Sequence, residues 1–64
     1  MHEYEVECLV VARGSGKRVG RYRVQFRKPK EQWSMTDYDI LERYLGRRKD
    51  INGDVSIIEV RDTK

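Results

Sequence analysis

The chain has 64 residues, enough for one small domain, and at this size folding buries only about 60% of the unfolded surface. Fourteen basic against 11 acidic residues leave a net charge of +3, too mild an excess to define a nucleic-acid binder by itself. Cys8 is the single cysteine, so no internal disulfide is available, and no apolar run is long enough for a membrane span. The start Met-His-Glu-Tyr-Glu lacks the basic n-region of a signal peptide, and a cytoplasmic protein is expected.

Residues 3–12 alternate as a half-buried strand does. Tyr4, Val6, Cys8, Val10 and Ala12 share one face, and Glu3, Glu5, Glu7, Leu9 and Val11 share the other. Gly14-Ser15-Gly16 reads as a turn, because glycine takes positive φ without strain. Residues 19–27 alternate again, with Tyr22, Val24 and Phe26 opposed to Arg21, Arg23, Gln25 and Arg27. A turn at 14–16 sets Cys8 against Tyr22, Val6 against Val24 and Tyr4 against Phe26. On the other face it sets Glu7 against Arg23, Glu5 against Gln25 and Glu3 against Arg27. One register thus pairs apolar with apolar and acid with base, and a slip of one residue would break both sets.

Arg27-Lys28-Pro29-Lys30-Glu31 is a basic connection in which Pro29 ends the strand. Ser34 and Asp37 have the spacing of a capping box, and Thr36 with Asp39 repeats it. At about 100° per residue, Tyr38, Ile40, Leu41, Tyr44 and Leu45 fall in one arc, opposite Met35, Asp39, Glu42, Arg43 and Gly46. Gly46 suits a left-handed position after the last helical turn, and Arg47, Arg48 and Lys49 suit the negative end of the dipole. Asp50–Asp54 reads as a turn and Val55–Arg61 as a strand. The order strand, strand, helix, strand implies an α+β two-layer fold: a three-stranded antiparallel sheet, order 2-1-3, with one helix on one face.

No pattern for catalysis, metal or cofactor emerges. Gly14-Ser15-Gly16-Lys17 is not a phosphate loop, since Val11 stands where the first glycine belongs, Arg18 where Ser or Thr belongs, and a strand follows. Asp50, Asn52, Asp54 and Ser56 have calcium-loop spacing, but Val55 and Arg61 replace the required glycine and glutamate. His2 and Cys8, the one imidazole and the one thiol, do not make a tetrahedral metal site. What remains is binding. Trp33 sits just before the helix, either as a staple packing toward Tyr38 or as an interface anchor. Leu9, Val11 and Val19 lie on the sheet face away from the helix, joined by Val55 and Ile57 if Ser56, Ile58 and Val60 face the helix. Such a patch suits a protein partner or a homodimer. The topology also gathers Arg13, Lys17, Arg18, Arg47, Arg48 and Lys49 at one pole, able to meet phosphates or an acidic protein surface.

The segment Gln32-Trp33-Ser34-Met35-Thr36-Asp37-Tyr38 resembles the helix opening of the Dmd antitoxin family of T-even phages, through Gln32, Trp33, Thr36 and Tyr38. The layout of hairpin, helix and final strand is similar too. Members of that family inhibit a host ribonuclease toxin by direct binding. The resemblance implies a phage or mobile-element protein that binds and blocks a host protein, as small polymerase inhibitors and anti-CRISPR proteins of comparable size also do. The expectation is therefore a non-enzymatic module that binds a host protein through Trp33, Tyr38 and the basic pole. Nucleic-acid binding by that pole and a homodimeric structural unit are the alternatives.

Overall fold

A computed structural model of the chain describes residues 3–63. Strand β1 (Tyr4–Ala12) turns into β2 (Arg18–Phe26); a single 3-10 turn at Lys30–Gln32 leads to helix α1 (Met35–Gly46), and β3 (Val55–Asp62) closes the chain. The sheet order is β2-β1-β3 with both pairings antiparallel, so the expected α+β topology is the one observed. β1 lies in the middle, and its inward side chains Val6, Cys8 and Val10 are fully buried beneath Leu41 and Leu45 of α1. Val24 and Val55 complete the buried core, and Tyr22, Phe26, Trp33, Ile51, Ile57 and Val60 pack around it.

The hairpin register is the expected one, with Tyr4 opposite Phe26, Val6 opposite Val24, Glu7 opposite Arg23 and Cys8 opposite Tyr22. Glu3 and Arg27 lie just outside the paired strands. The loop differs from expectation. The Ala12 N–H donates to the Lys17 carbonyl at 2.8 Å and the Gly16 N–H to the Ala12 carbonyl at 2.9 Å, so the loop comprises residues 13–16. The register then shifts between Val10 and Val11, which pair with Gly20 and Arg18, leaving Val19 as the extra residue of a bulge. The longer loop and the bulge cancel, which is why the shorter turn led to the correct register.

A second bulge corrects the expected facing of β3. Its register with β1 shifts between Leu9, opposite Glu59, and Val10, opposite Ile57. Ile58 is the unpaired residue and is 60% exposed. Residues before and after it therefore change phase. Val55, Ile57 and Val60 all sit opposite helix-side residues of β1, rather than Val55 and Ile57 facing away. The apolar patch expected on the outer sheet face thus loses its β3 half.

Helix α1 begins with the Ser34 capping box. The Ser34 hydroxyl accepts from the Asp37 N–H, and the Asp37 carboxylate accepts from the Ser34 N–H at 2.9 Å. The helix ends at Gly46 as expected, but Gly46 is not left-handed; the cap is Arg47, in a right-handed conformation, and the positive φ that follows the helix is at Asn52, 48°. Gly46 is required for a close approach instead. The Gly53 N–H donates to its carbonyl at 3.0 Å, and a Cβ at Gly46 would stand 2.5 Å from the Gly53 carbonyl oxygen.

The buried stripe of α1 is also rotated from the expected arc, by roughly half of one residue's 100° step. Asp37, Leu41 and Leu45 are buried and Tyr38 and Glu42 half-buried, whereas Ile40 and Tyr44 are 46% and 56% exposed. Two acidic side chains take inward positions because each finds partners there. Asp37 closes the cap and receives the Lys28 ammonium at 3.2 Å. Glu42 accepts from Arg13 and from the backbone of β3.

Gly46→Ala tests the close approach through its sign. In an ordinary helix interior this change stabilises by up to about 1 kcal/mol. Here the Gly53 carbonyl must move, and a net destabilisation of about 1–3 kcal/mol is expected. A thermal melt followed by circular dichroism reads it as a fall of several degrees in Tm; a rise would show that the 50–54 loop yields freely.

Candidate functional site

The helix entrance is built around Trp33. The indole Nε1 donates to the Lys28 carbonyl at 2.9 Å. The ring packs edge-on against Phe26 and Tyr38, with centroids 5.3 and 5.2 Å apart. Trp33 and Tyr38, both expected at a partner surface, are half-buried; Trp33 packs against the core and Tyr38 packs on Trp33. Pro29 and the following 3-10 turn hold the connection so that Lys28 reaches Asp37 while Lys30 donates to the Val60 carbonyl at 3.2 Å. Trp33 and Tyr38 thus lie in a structural clamp between hairpin, helix and β3, while Gln32 and Thr36 are exposed.

The basic pole divides in two. Arg13 donates to Glu42 at 2.9 Å, to Ser56 at 3.2 Å and to the Val55 carbonyl at 3.2 Å, tying the hairpin loop to α1 and β3. Arg48 pairs with Asp50 at 3.1 Å and lies over the Tyr22 ring, 5.2 Å from its centroid. The side chains of Lys17, Arg18, Arg47 and Lys49 are exposed and have no hydrogen-bond or ion-pair partner among the described residues. Arg13 and Arg47 meet in a groove of about 310 Å³ with Arg43, Glu42 and residues 52–55; Lys17 and Arg18, on the loop and at the start of β2, do not line it. Two acids, Glu42 and Asp54, dilute that groove.

The outer sheet face is a charge lattice. Glu7 stands opposite Arg23, yet its carboxylate pairs with Arg61 at 2.8 Å and lies 3.9 Å from Arg21, which itself reaches Glu59 at 3.2 Å. The Arg61 hydrogen bonds hold the Glu7 carboxyl below its ordinary pKa. Arg23 is left without an ion pair among the described residues.

The surface that sequence reasoning missed is the outer face of α1. Ile40, Arg43, Tyr44 and Arg47 recur at the i, i+3, i+4, i+7 spacing of one helical stripe, and all four are exposed. With Arg48 they line a shallow depression of about 490 Å³. Ile40 and Tyr44 also form one wall of a neighbouring groove of about 580 Å³, whose other side includes Arg23, Val24, Gln25 and Phe26 of β2. The helix leans toward β3, which leaves this β2 side open. The stripe was legible only by allowing Asp37 and Glu42 to be inward-facing.

Cys8 is fully buried, and burial pushes its thiol up to about 11, so it is neutral near pH 7. Among the described residues no cluster of three His, Cys, Asp or Glu is placed to hold a metal; His2 lies outside them. Among the described residues no helix is long and apolar enough to cross a membrane. Comparison with family models, with curated proteins and with solved structures found no match.

The clamp makes two predictions. Trp33→Ala is expected to cost on the order of 2 kcal/mol or more of folding stability through lost ring packing and the orphaned Lys28 carbonyl, measured by urea unfolding. The Asp37 carboxyl titrates below its usual value because the Ser34 backbone N–H, then Lys28 and the Ser34 hydroxyl, favour its charged form against the opposing effect of burial. Its contribution is therefore full above the unfolded-state value of about 4 and is lost as pH falls through the lower folded value. Asp37→Asn should lower Tm at pH 7 and flatten the acid limb of the Tm-against-pH curve; an unchanged limb would exclude Asp37 as its source.

Proposed function

We propose that this chain is a non-enzymatic protein-binding module that docks onto an acidic protein surface through the outer face of α1. The exposed stripe Ile40, Arg43, Tyr44, Arg47 carries this reading. Tyr and Arg are the side chains that interface hot spots favour, and a stripe that alternates apolar area with guanidinium groups suits a partner with carboxylates around an apolar centre. The mechanism is occlusion: a small domain whose helix is locked by the Trp33 clamp and the Glu42–Arg13 contact covers a surface that its target needs. An inhibitor of a host defence or toxin protein, acting in the cytoplasm, is the physiological role that the resemblance at Gln32–Tyr38 supplies.

Nucleic-acid binding is less favoured by this geometry. Arg13 and Arg48 are already paired with Glu42 and Asp50, and Tyr22 is covered by Arg48, which leaves Tyr44 as the exposed ring of the arginine stripe. A single-strand platform stacks successive bases on several such rings.

The paired substitution Ile40→Ala with Tyr44→Ala tests the proposal, because both side chains are largely exposed and their loss leaves the core intact. Capture of a stoichiometric protein from nuclease-treated host lysate is expected with the native chain. The double variant should lose about 2 kcal/mol or more of affinity, a hot-spot magnitude, with Tm within a few degrees of native. Equal capture by a folded double variant, or capture that nuclease abolishes, would reject the helix face as the contact.

A further inference from the structure

The sheet has two edges, and the chain treats them differently. On β3 the Ile57 N–H donates to the Glu42 carboxylate at 2.9 Å, and the Val60 carbonyl accepts from Lys30 at 3.2 Å. Side chains from α1 and from the 3-10 turn thus cap this edge against further pairing. Among the described residues the outer edge of β2 has no neighbouring strand, and no side chain hydrogen-bonds to its backbone along Arg21–Phe26; the Arg21 side chain reaches across the sheet face to Glu59. Beside it runs a groove of mixed lining, with Ile40, Leu41 and Tyr44 on one side, Val24 and Phe26 with Arg23 and Gln25 on the other, and Glu3 and Glu5 also at its wall. An unpaired edge next to a partly apolar groove is the geometry of strand addition, in which backbone bonds supply affinity and alternate side chains supply specificity.

The charge on β2 decides what can pair there. Its outer face presents Arg21, Arg23 and Gln25, and its helix-side face presents Tyr22, Val24 and Phe26. A second copy pairing antiparallel about Tyr22 would set Arg21 against Arg23 and Arg23 against Arg21, and like charges directly opposite are destabilising. The complement already present in the fold is β1, which lays Tyr4, Val6 and Cys8 against Phe26, Val24 and Tyr22, and Glu5 and Glu7 against Gln25 and Arg23. We infer that the open edge of β2, over Arg21–Phe26, receives an extended strand of another protein that alternates acidic and apolar residues. Its apolar side chains enter the groove beside Ile40 and Tyr44, and its carboxylates lie along Arg23. The inference rests on the protein-binding reading of α1 and gives the partner its chemistry: a mobile or edge segment of alternating Glu or Asp with Val, Ile, Leu or Tyr. The extra Val19 of the bulge and Gly20, at φ 155°, end the usable edge toward the loop.

The probe is a capped synthetic peptide alternating Glu and Val, titrated into isotope-labelled full-length protein and followed by amide shifts and hydrogen exchange. Shifts confined to residues 21–26 and to the Ile40–Tyr44 side of α1, with slowed exchange at alternate β2 amides, are expected. A peptide with the same residues in two blocks, and one with Lys in place of Glu, are expected to bind at least about tenfold more weakly, since like charges directly opposite across strands are destabilising. Arg23→Glu should reverse the preference between the Glu and Lys peptides; because the peptide comparison is made on the native chain, a variant that fails to fold leaves the test intact. Equal binding of the blocked peptide, shifts centred on residues 13–18 or 43–49, no binding up to the solubility limit, or contacts between β2 strands of two copies would each overturn the inference. Failure here, with the Ile40 and Tyr44 double variant still losing its captured protein, would reject strand addition and leave helix docking standing.

Discussion

β1 is paired along both edges, and everything else is arranged by what its two faces require. Val6, Cys8 and Val10 project to one side and are completely buried, so the helix must cover that side. The opposite face places Glu5 and Glu7 among basic residues contributed by both neighbours, with Arg61 and Arg21 the closest to Glu7. Burial of the apolar row supplies the driving force, roughly 1.5–3 kcal/mol for each large side chain removed from water. The charge row supplies little energy at the surface but penalises every wrong register. In a domain this small, with seven buried hydrophobic side chains among the described residues, that division leaves little redundancy.

The helix is held at both ends by polar contacts rather than by apolar area alone. At its start, the Ser34–Asp37 box, Lys28 and the Phe26–Trp33–Tyr38 ring contacts set where α1 begins. Toward its end, Glu42 bridges Arg13 and the β3 backbone, and Gly46 lets the 50–54 loop close against it. These contacts fix the rotation of the helix about its axis. The rotation is what turns Ile40 and Tyr44 outward, beside Arg43 and Arg47, and what opens the channel along β2. The same polar set that locks the fold therefore creates the surface proposed for binding.

How legible this was differs by element. The hairpin register followed from two alternating patterns that agree with each other, and the cap and end of α1 followed from Ser34, Asp37 and Gly46. The candidate site was only partly legible. Trp33 stands out in the sequence as a large aromatic at the helix entrance, and its ring packs between Phe26 and Tyr38, two residues that lie seven before it and five after it. Arg13 and Arg48, marked as part of a basic pole, have carboxylate partners that are distant or ambiguous in sequence: Glu42 lies 29 residues from Arg13. Ile40 and Tyr44 were assigned to the core because apolar residues were assumed to face inward whenever an arc could hold them.

By itself, the sequence determined the element order, the pairing of β1 with β2 and hence the three-stranded α+β topology, because each rests on local periodicity and on residues close along the chain. Tertiary structure alone decided three things: the rotation of α1, the phase of β3 and the purpose of Gly46. A carboxylate is welcome inside only where a donor from elsewhere in the chain meets it, as Lys28 meets Asp37 and Arg13 with the Ile57 N–H meets Glu42. A bulge at Ile58 is invisible to a strict two-residue period, and the space beside Gly46 is occupied only once residue 53 has folded back to it. Each of these depends on groups brought together by folding, and that is where the open edge and the exposed helix face arise.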